Sequence, residues 1–163
     1  MAVDMFLKID GIPGESTDAS HKDEIDLISY TWGESQPEAP GATGSGGLST
    51  GRVAMQDFHF VMRVNKASPK LFLSCANGAR IKNALLTVRR SGGNPVEFLK
   101  WTLTDVTVAS YQTASGVPPG ETPTDQVSLR FTKIETEYTP MKPDGSPGVP
   151  IKEGWDLTAN RPV

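Results

Sequence analysis

One cysteine, Cys75, and two histidines, His21 and His59, are all that the 163 residues hold of those types. A lone cysteine has no partner within the chain, which excludes the disulfide framework of a small extracellular scaffold. It also leaves a zinc site short, since such sites need three or four ligands and no Cys or His lies near either histidine in sequence. Long apolar runs are missing too. Nothing approaches the ~20 residues that cross a bilayer, and Asp4, Lys8 and Asp10 break up the stretch where a secretory signal needs an apolar core. The expectation is a chain made in the cytoplasm with no membrane insertion, whose export, if it occurs, reads no N-terminal signal. Nor is there a surplus of positive charge. The formal net charge is −3 and the pI about 5.4, so the surface repels phosphate backbones and anionic lipid, and no nucleic-acid partner is expected.

The motifs of chemistry are equally scarce. No Gly-x-Ser-x-Gly, phosphate-binding or dinucleotide loop occurs, and the Gly44–Gly47 tract lacks the lysine and helix that would follow one. Cys75 falls on the apolar stripe of a short helix and reads as a small buried hydrophobe. His21 sits in the charged run Asp18–Glu24, where solvent exposure is expected. His59 shares a strand face with Asp57, the nearest approach to an acid/base pair. The chain is expected to be no enzyme and to take no cofactor.

What the sequence has in quantity is alternation. Val3, Met5, Leu7 and Ile9 alternate with mostly polar neighbours, as in a strand with one buried face. A second strand is expected from Glu24 to Trp32, and a third from Met55 to Val64 with Phe58, Phe60, Met62 and Val64 inward. One helix follows: Ser68 is the expected N-cap, Pro69 the first helical residue, Leu71, Phe72, Cys75 and Ala76 the apolar stripe, and Asn77-Gly78 the stop. Strands resume at Ile81–Arg90, then at Pro95–Tyr111 with Glu97, Leu99, Trp101 and Leu103 on one side. A phase change between Phe131 and Ile134 predicts a bulge or bend, and a last strand passes through Ile151, Trp155 and Leu157. The 16 glycines and 13 prolines stay below the roughly 25–30 % of low-complexity chains and suit many tight turns. The fold class is therefore mainly β, about seven to nine strands in a small antiparallel β-barrel or sandwich with one short flanking α-helix. A single domain over residues 1–163 is expected, with a long Gly-rich loop at 33–51. Compact domains rarely keep such a loop without a use for it.

The segments also resemble, in order and across the whole chain, the haemolysin-coregulated protein (Hcp) family, the tube component of the bacterial type VI secretion system. The matching stretches are Asp4–Ile9 with Gly14-Glu15-Ser16, His21–Asp26 with Trp32-Gly33, and Ala67–Leu71 with Cys75 and Gly78. Arg89-Arg90-Ser91-Gly92-Gly93, Val127–Phe131, Tyr138-Thr139-Pro140, Asp144-Gly145 and Gly154–Leu157 before Asn160 complete them. The chain departs from the family at Ala79-Arg80-Ile81, where members often have a histidine before the isoleucine.

The resemblance implies a homo-hexamer whose rings stack into a hollow tube, driven out by a contracting sheath beneath a spike. Small effector proteins would ride in the lumen. It further implies secretion from the bacterial cytoplasm through the machine itself, without a signal peptide. On that reading Ser29 and Thr31 are candidate lumen and effector contacts, while Arg89, Arg90, Gly92 and Gly93, with Gly44 and Gly46 of the long loop, are candidates for ring stacking. The rival is a monomeric β-sandwich that binds carbohydrate or peptide on Trp32, Trp101 and Trp155, which the sequence places on separate strands.

Overall fold

The structure, a computed structural model, describes residues 2–38, 51–115 and 118–163. Within them the chain runs β1 (Val3–Ile9), β2 (Ile25–Asp26), β3 (Ser29–Thr31), β4 (Glu34–Ser35), β5 (Ala54–Met55), β6 (Phe58–Arg63) and α1 (Ser68–Asn77). It continues through β7 (Ile81–Arg90), β8 (Val96–Ala114), β9 (Thr124–Arg130), β10 (Lys133–Tyr138), β11 (Ile151–Asp156) and β12 (Arg161–Pro162). The strands beyond the expected number are two-residue ladders, too short for alternation to reveal.

The architecture turns on β8, 19 residues long. Its first half lies between β7 and β10 in a sheet ordered β12-β11-β10-β8-β7-β1-β2. From Thr107 it pairs instead with β9, in a sheet ordered β8-β9-β6-β3. The change of sheet falls at Asp105, whose φ of 55° lies in the left-handed region that aspartate tolerates better than most residues. Arg80 pairs with it, Nη1 lying 3.2 Å from Asp105 Oδ1 at the surface beside the bend. β9 and β10 bend alongside at Phe131–Thr132, the expected phase change. At the opposite corner the chain crosses between sheets at Leu27–Ile28: Leu27 N–H donates to Met5 O and Ile28 N–H to Val61 O. The expected second strand is thus two short ones, β2 and β3. No ladder joins these two among the described residues, so the fold is a sandwich with shared corners and not a closed barrel.

The inner faces interdigitate. Leu7, Leu86, Leu103 and Ile134 from one sheet meet Phe58, Phe60, Met62, Val127 and Leu129 from the other, all 3 % exposed or less. Each such side chain contributes roughly 1.5–3 kcal/mol by leaving water. Val64, expected inward, lies past the end of β6 and is exposed. Helix α1 closes one end with Ala67 and Leu71 buried. Its start differs from expectation. The N-cap is Ala67, and Ser68, the first helical residue, donates its hydroxyl to the fully buried Asp125, 2.6 Å from Oδ2. Burial and the Asp125 carboxylate raise the Tyr111 phenol beside them. Gly78, at φ 65°, ends the helix as expected. Phe72 stays exposed, edge-on to Tyr111 at 6.2 Å between ring centroids.

Glu97 also departs from expectation. Val88 faces Leu99 but Arg89 faces Glu97, so Phe98 is an extra residue in the ladder. This bulge turns Glu97 out of the apolar row and towards His21, whose ring is not exposed but 5 % accessible and stacked on Phe6 at 4.4 Å. His21 Nδ1 lies 2.9 Å from Glu24 and Nε2 3.0 Å from Glu97. Burial alone would raise the Glu97 carboxyl, but Lys100 and His21 hold it low. The loop ahead of β2 thereby caps the outer side of the larger sheet.

Phe60→Ala, at the centre of this packing, is expected to cost about 3–5 kcal/mol. Urea unfolding followed by tryptophan fluorescence measures it; a loss below ~1 kcal/mol contradicts the packing described.

Candidate functional site

The smaller sheet buries one face and offers the other to solvent. Alternation assigns its residues: Asp125, Val127 and Leu129 point inward, so Gln126, Ser128 and Arg130 point outward. Across the ladder these outward positions form two rows, Thr31–His59–Ser128–Ser110 and Ser29–Val61–Gln126–Gln112. Seven of the eight side chains are polar. His59 Nδ1 lies 3.1 Å from Ser128 Oγ, while Asp57, which shares its strand face, approaches Arg130 at 3.7 Å. Ser29 and Thr31, singled out from alternation, therefore belong to a polar wall four strands wide. Nothing local in the chain marks His59, Ser110, Gln112, Gln126 and Ser128 as their companions, because only strand pairing brings them together.

Both edges of this sheet are open among the described residues. β3 pairs only with β6, and β8 from Thr107 onward only with β9. Open edges present unpaired N–H and C=O groups to any strand that approaches. The two edges differ in sequence and lie on opposite sides, so a contact joining one to the other would run head to tail, the kind that closes into rings.

The hairpin Arg89–Asn94 is less free than its basic sequence suggested. Arg89 lies within β7, Nη2 2.7 Å from Asp18 Oδ2 and 3.1 Å from Asp4 Oδ2, Nη1 3.1 Å from Asp18 Oδ1, with its guanidinium over Phe6. The Arg89 hydrogen bonds, and then the Ser20 amide, hold the Asp18 carboxyl at about 2, below its ordinary 3.8. Arg90 lies over the Phe98 ring at 5.2 Å. The tip beyond them is open: a Cβ at Gly92 or Gly93 would meet nothing within 4 Å, although Gly92 has φ 147°. The root of the Gly-rich loop is a small ladder, β4 with β5, and Gly44 and Gly46 lie outside the described residues. Trp32, Trp101 and Trp155 meet in one cleft of about 720 Å³ beside that root, with Trp32 and Trp101 centroids 5.3 Å apart.

A β-sandwich with a polar outer sheet and two open edges, and with the arginines of its hairpin braced internally, has the build of a structural assembly component. Known proteins say which. The family model described as "Type VI secretion system effector, Hcp" matches residues 6–138. Protein hcp1 of Pseudomonas aeruginosa is 40 % identical over 162 residues, 98 % of each chain. Among solved structures, Hcp1 from Salmonella typhimurium superposes with a TM-score of 0.81 at 36 % identity, over the whole of both chains. Another, described as a type six secretion system protein, reaches 0.92 at 28 % identity, covering 99 % of this chain and all of its own. The chain belongs to the Hcp family of type VI secretion, and its function is that of the structural tube component.

Two outcomes follow. Asp18 is lowered in the folded state, so its pairing with Arg89 stabilises the fold above pH ~4 and is lost as pH falls towards 2. Asp18→Asn should be less stable than wild type at pH 5, and the gap should narrow as pH falls towards 2 and close below it, in denaturation curves taken across that range. If the edges are used, amide hydrogen exchange over residues 29–31 and 107–114 should slow when dilute protein is concentrated. Unchanged exchange at both edges contradicts their pairing.

Proposed function

We propose that six copies of this chain close head to tail by joining the β3 edge of one smaller sheet to the β8 edge of the next. The observation that carries the reading is the pair of open, non-equivalent edges on one four-stranded sheet. Six such sheets make a wall of twenty-four strands, with a circumference near 115 Å at ~4.8 Å per strand and a backbone diameter of roughly 37 Å, more if the strands tilt. Such a bore admits a small folded protein. The polar rows through Ser29 and Thr31 face it, so they are the surface that small effector proteins meet.

Rings then stack through the tip at Gly92–Gly93, with Gly44 and Gly46 of the long loop as further contacts. Arg89 and Arg90 serve from behind, stiffening the stem of the hairpin through Asp4, Asp18 and Phe98. The tube is made in the bacterial cytoplasm and expelled with its spike by the sheath, which leaves it secreted or in a target cell without a signal peptide. It needs no cofactor, nucleic acid or membrane insertion, and it catalyses nothing. A second reading draws on the cleft where Trp32, Trp101 and Trp155 converge, and holds the chain to be a monomer that binds an aromatic-stacking ligand such as a glycan.

Native mass spectrometry separates the two. A six-fold multiple of 17.5 kDa is expected, and a stable monomer at high concentration favours the cleft. A Cβ at Gly93 meets nothing within 4 Å, so Gly93→Leu should leave the ring mass unchanged while shortening tubes in electron micrographs. Wild-type tube lengths in that variant count against stacking at the tip.

A further inference from the structure

The charges of the outward face run against those of the chain. Its ionisable side chains, apart from His59, are Asp57, Arg63 and Arg130, in a protein whose net charge is −3. Arg130 Nε lies 3.7 Å from Asp57 Oδ1, whereas exposed Arg63 has no carboxylate within salt-bridge distance among the described residues. The ladder fixes where they stand. Arg63 faces Thr124 at one end of β9, Arg130 faces Thr107 at the other end, and the span between holds the uncharged rows.

We infer that the bore of the assembled ring selects cargo with acidic surface, through a belt of Arg63 guanidinium groups at one mouth. This deepens the ring reading above and rests on it. Six copies set six unpaired Arg63 side chains around one circumference, and six Arg130 side chains, each shared with Asp57, around the other. Screening decides how far that charge acts. The Debye length is ~8–10 Å at 0.10–0.15 M salt, shorter than the ~18 Å radius of the bore. A small ion on the axis is therefore largely unaffected, while a protein that fills the bore brings its surface within reach of the belt on every side. The serine, threonine and glutamine rows add neutral hydrogen bonds that any polar surface can make or leave. The belt supplies preference, and the rows leave the cargo free to depart.

The test uses fluorescein-labelled poly-L-glutamate, which the acidic exterior repels, so that its retention reports the bore. Anisotropy titrations would compare wild type with Arg63→Gln and Arg63→Glu, with ring mass checked for each. Wild type is expected to bind with an affinity that falls as salt rises. Arg63→Gln should weaken binding and Arg63→Glu weaken it about 10-fold or more, as for reversing a charge at a contact surface, with the ring still six-fold. Intact rings that bind the probe equally in all three, or not at all in wild type, overturn the inference and leave the ring reading standing. A wild-type monomer overturns both.

Discussion

A strand that belongs to two sheets sets the terms for the rest of the molecule. β8 runs through the larger sheet paired on both sides from Leu99 to Thr104, between β7 and β10, and leaves it at Asp105 to become the edge of the smaller one. The bend forces β9 and β10 to bend beside it and directs Phe58, Phe60 and Met62 onto the core. It also leaves the length from Thr107 to Ala114 with a single neighbour. A free β protein with such an edge is prone to unwanted pairing. In the proposed ring, the same edge is the means of assembly.

The charged side chains divide by layer. Several that cover the larger sheet pair within their own chain: His21 between Glu24 and Glu97, Arg89 between Asp4 and Asp18, Lys152 near Glu135. They hold the covering loop and the hairpin stem in place. The smaller sheet has few charges, and its outward rows are short and neutral. That contrast gives the two layers different work, with the larger sheet stiffening the subunit and the smaller one presenting a surface.

Much of this was legible in the sequence. The alternation at Val3–Ile9 and Ile81–Arg90, the Pro69-to-Gly78 helix and the bend after Phe131 appear where the residue pattern puts them, because each depends on neighbours close in the chain. The failures involve partners far away. Glu97 left the apolar row because of a bulge that exists only between β7 and β8. His21 looked solvated because nothing local announces Phe6 and Glu97 around it. Ser68 looked like a cap, but its hydroxyl is claimed by Asp125 from β9. The wall around Ser29 and Thr31 was half visible: alternation turned them outward, and only the ladder supplied His59, Ser128 and Ser110 beside them.

Seam cross-linking tests the edge-to-edge ring most directly. In a Cys75→Ser background, Ser29→Cys or Thr31→Cys would be combined in one chain with Ser110→Cys or Gln112→Cys. Within a chain the two thiols sit three strand spacings apart, about 14 Å, beyond the ~7 Å Cα separation a disulfide spans, so only neighbouring copies can join. Mild oxidation and denaturing electrophoresis should give a ladder that ends at six copies for at least one combination in register. Monomer alone from all four combinations, in a preparation whose native mass shows the ring, would contradict the account and place the seam elsewhere.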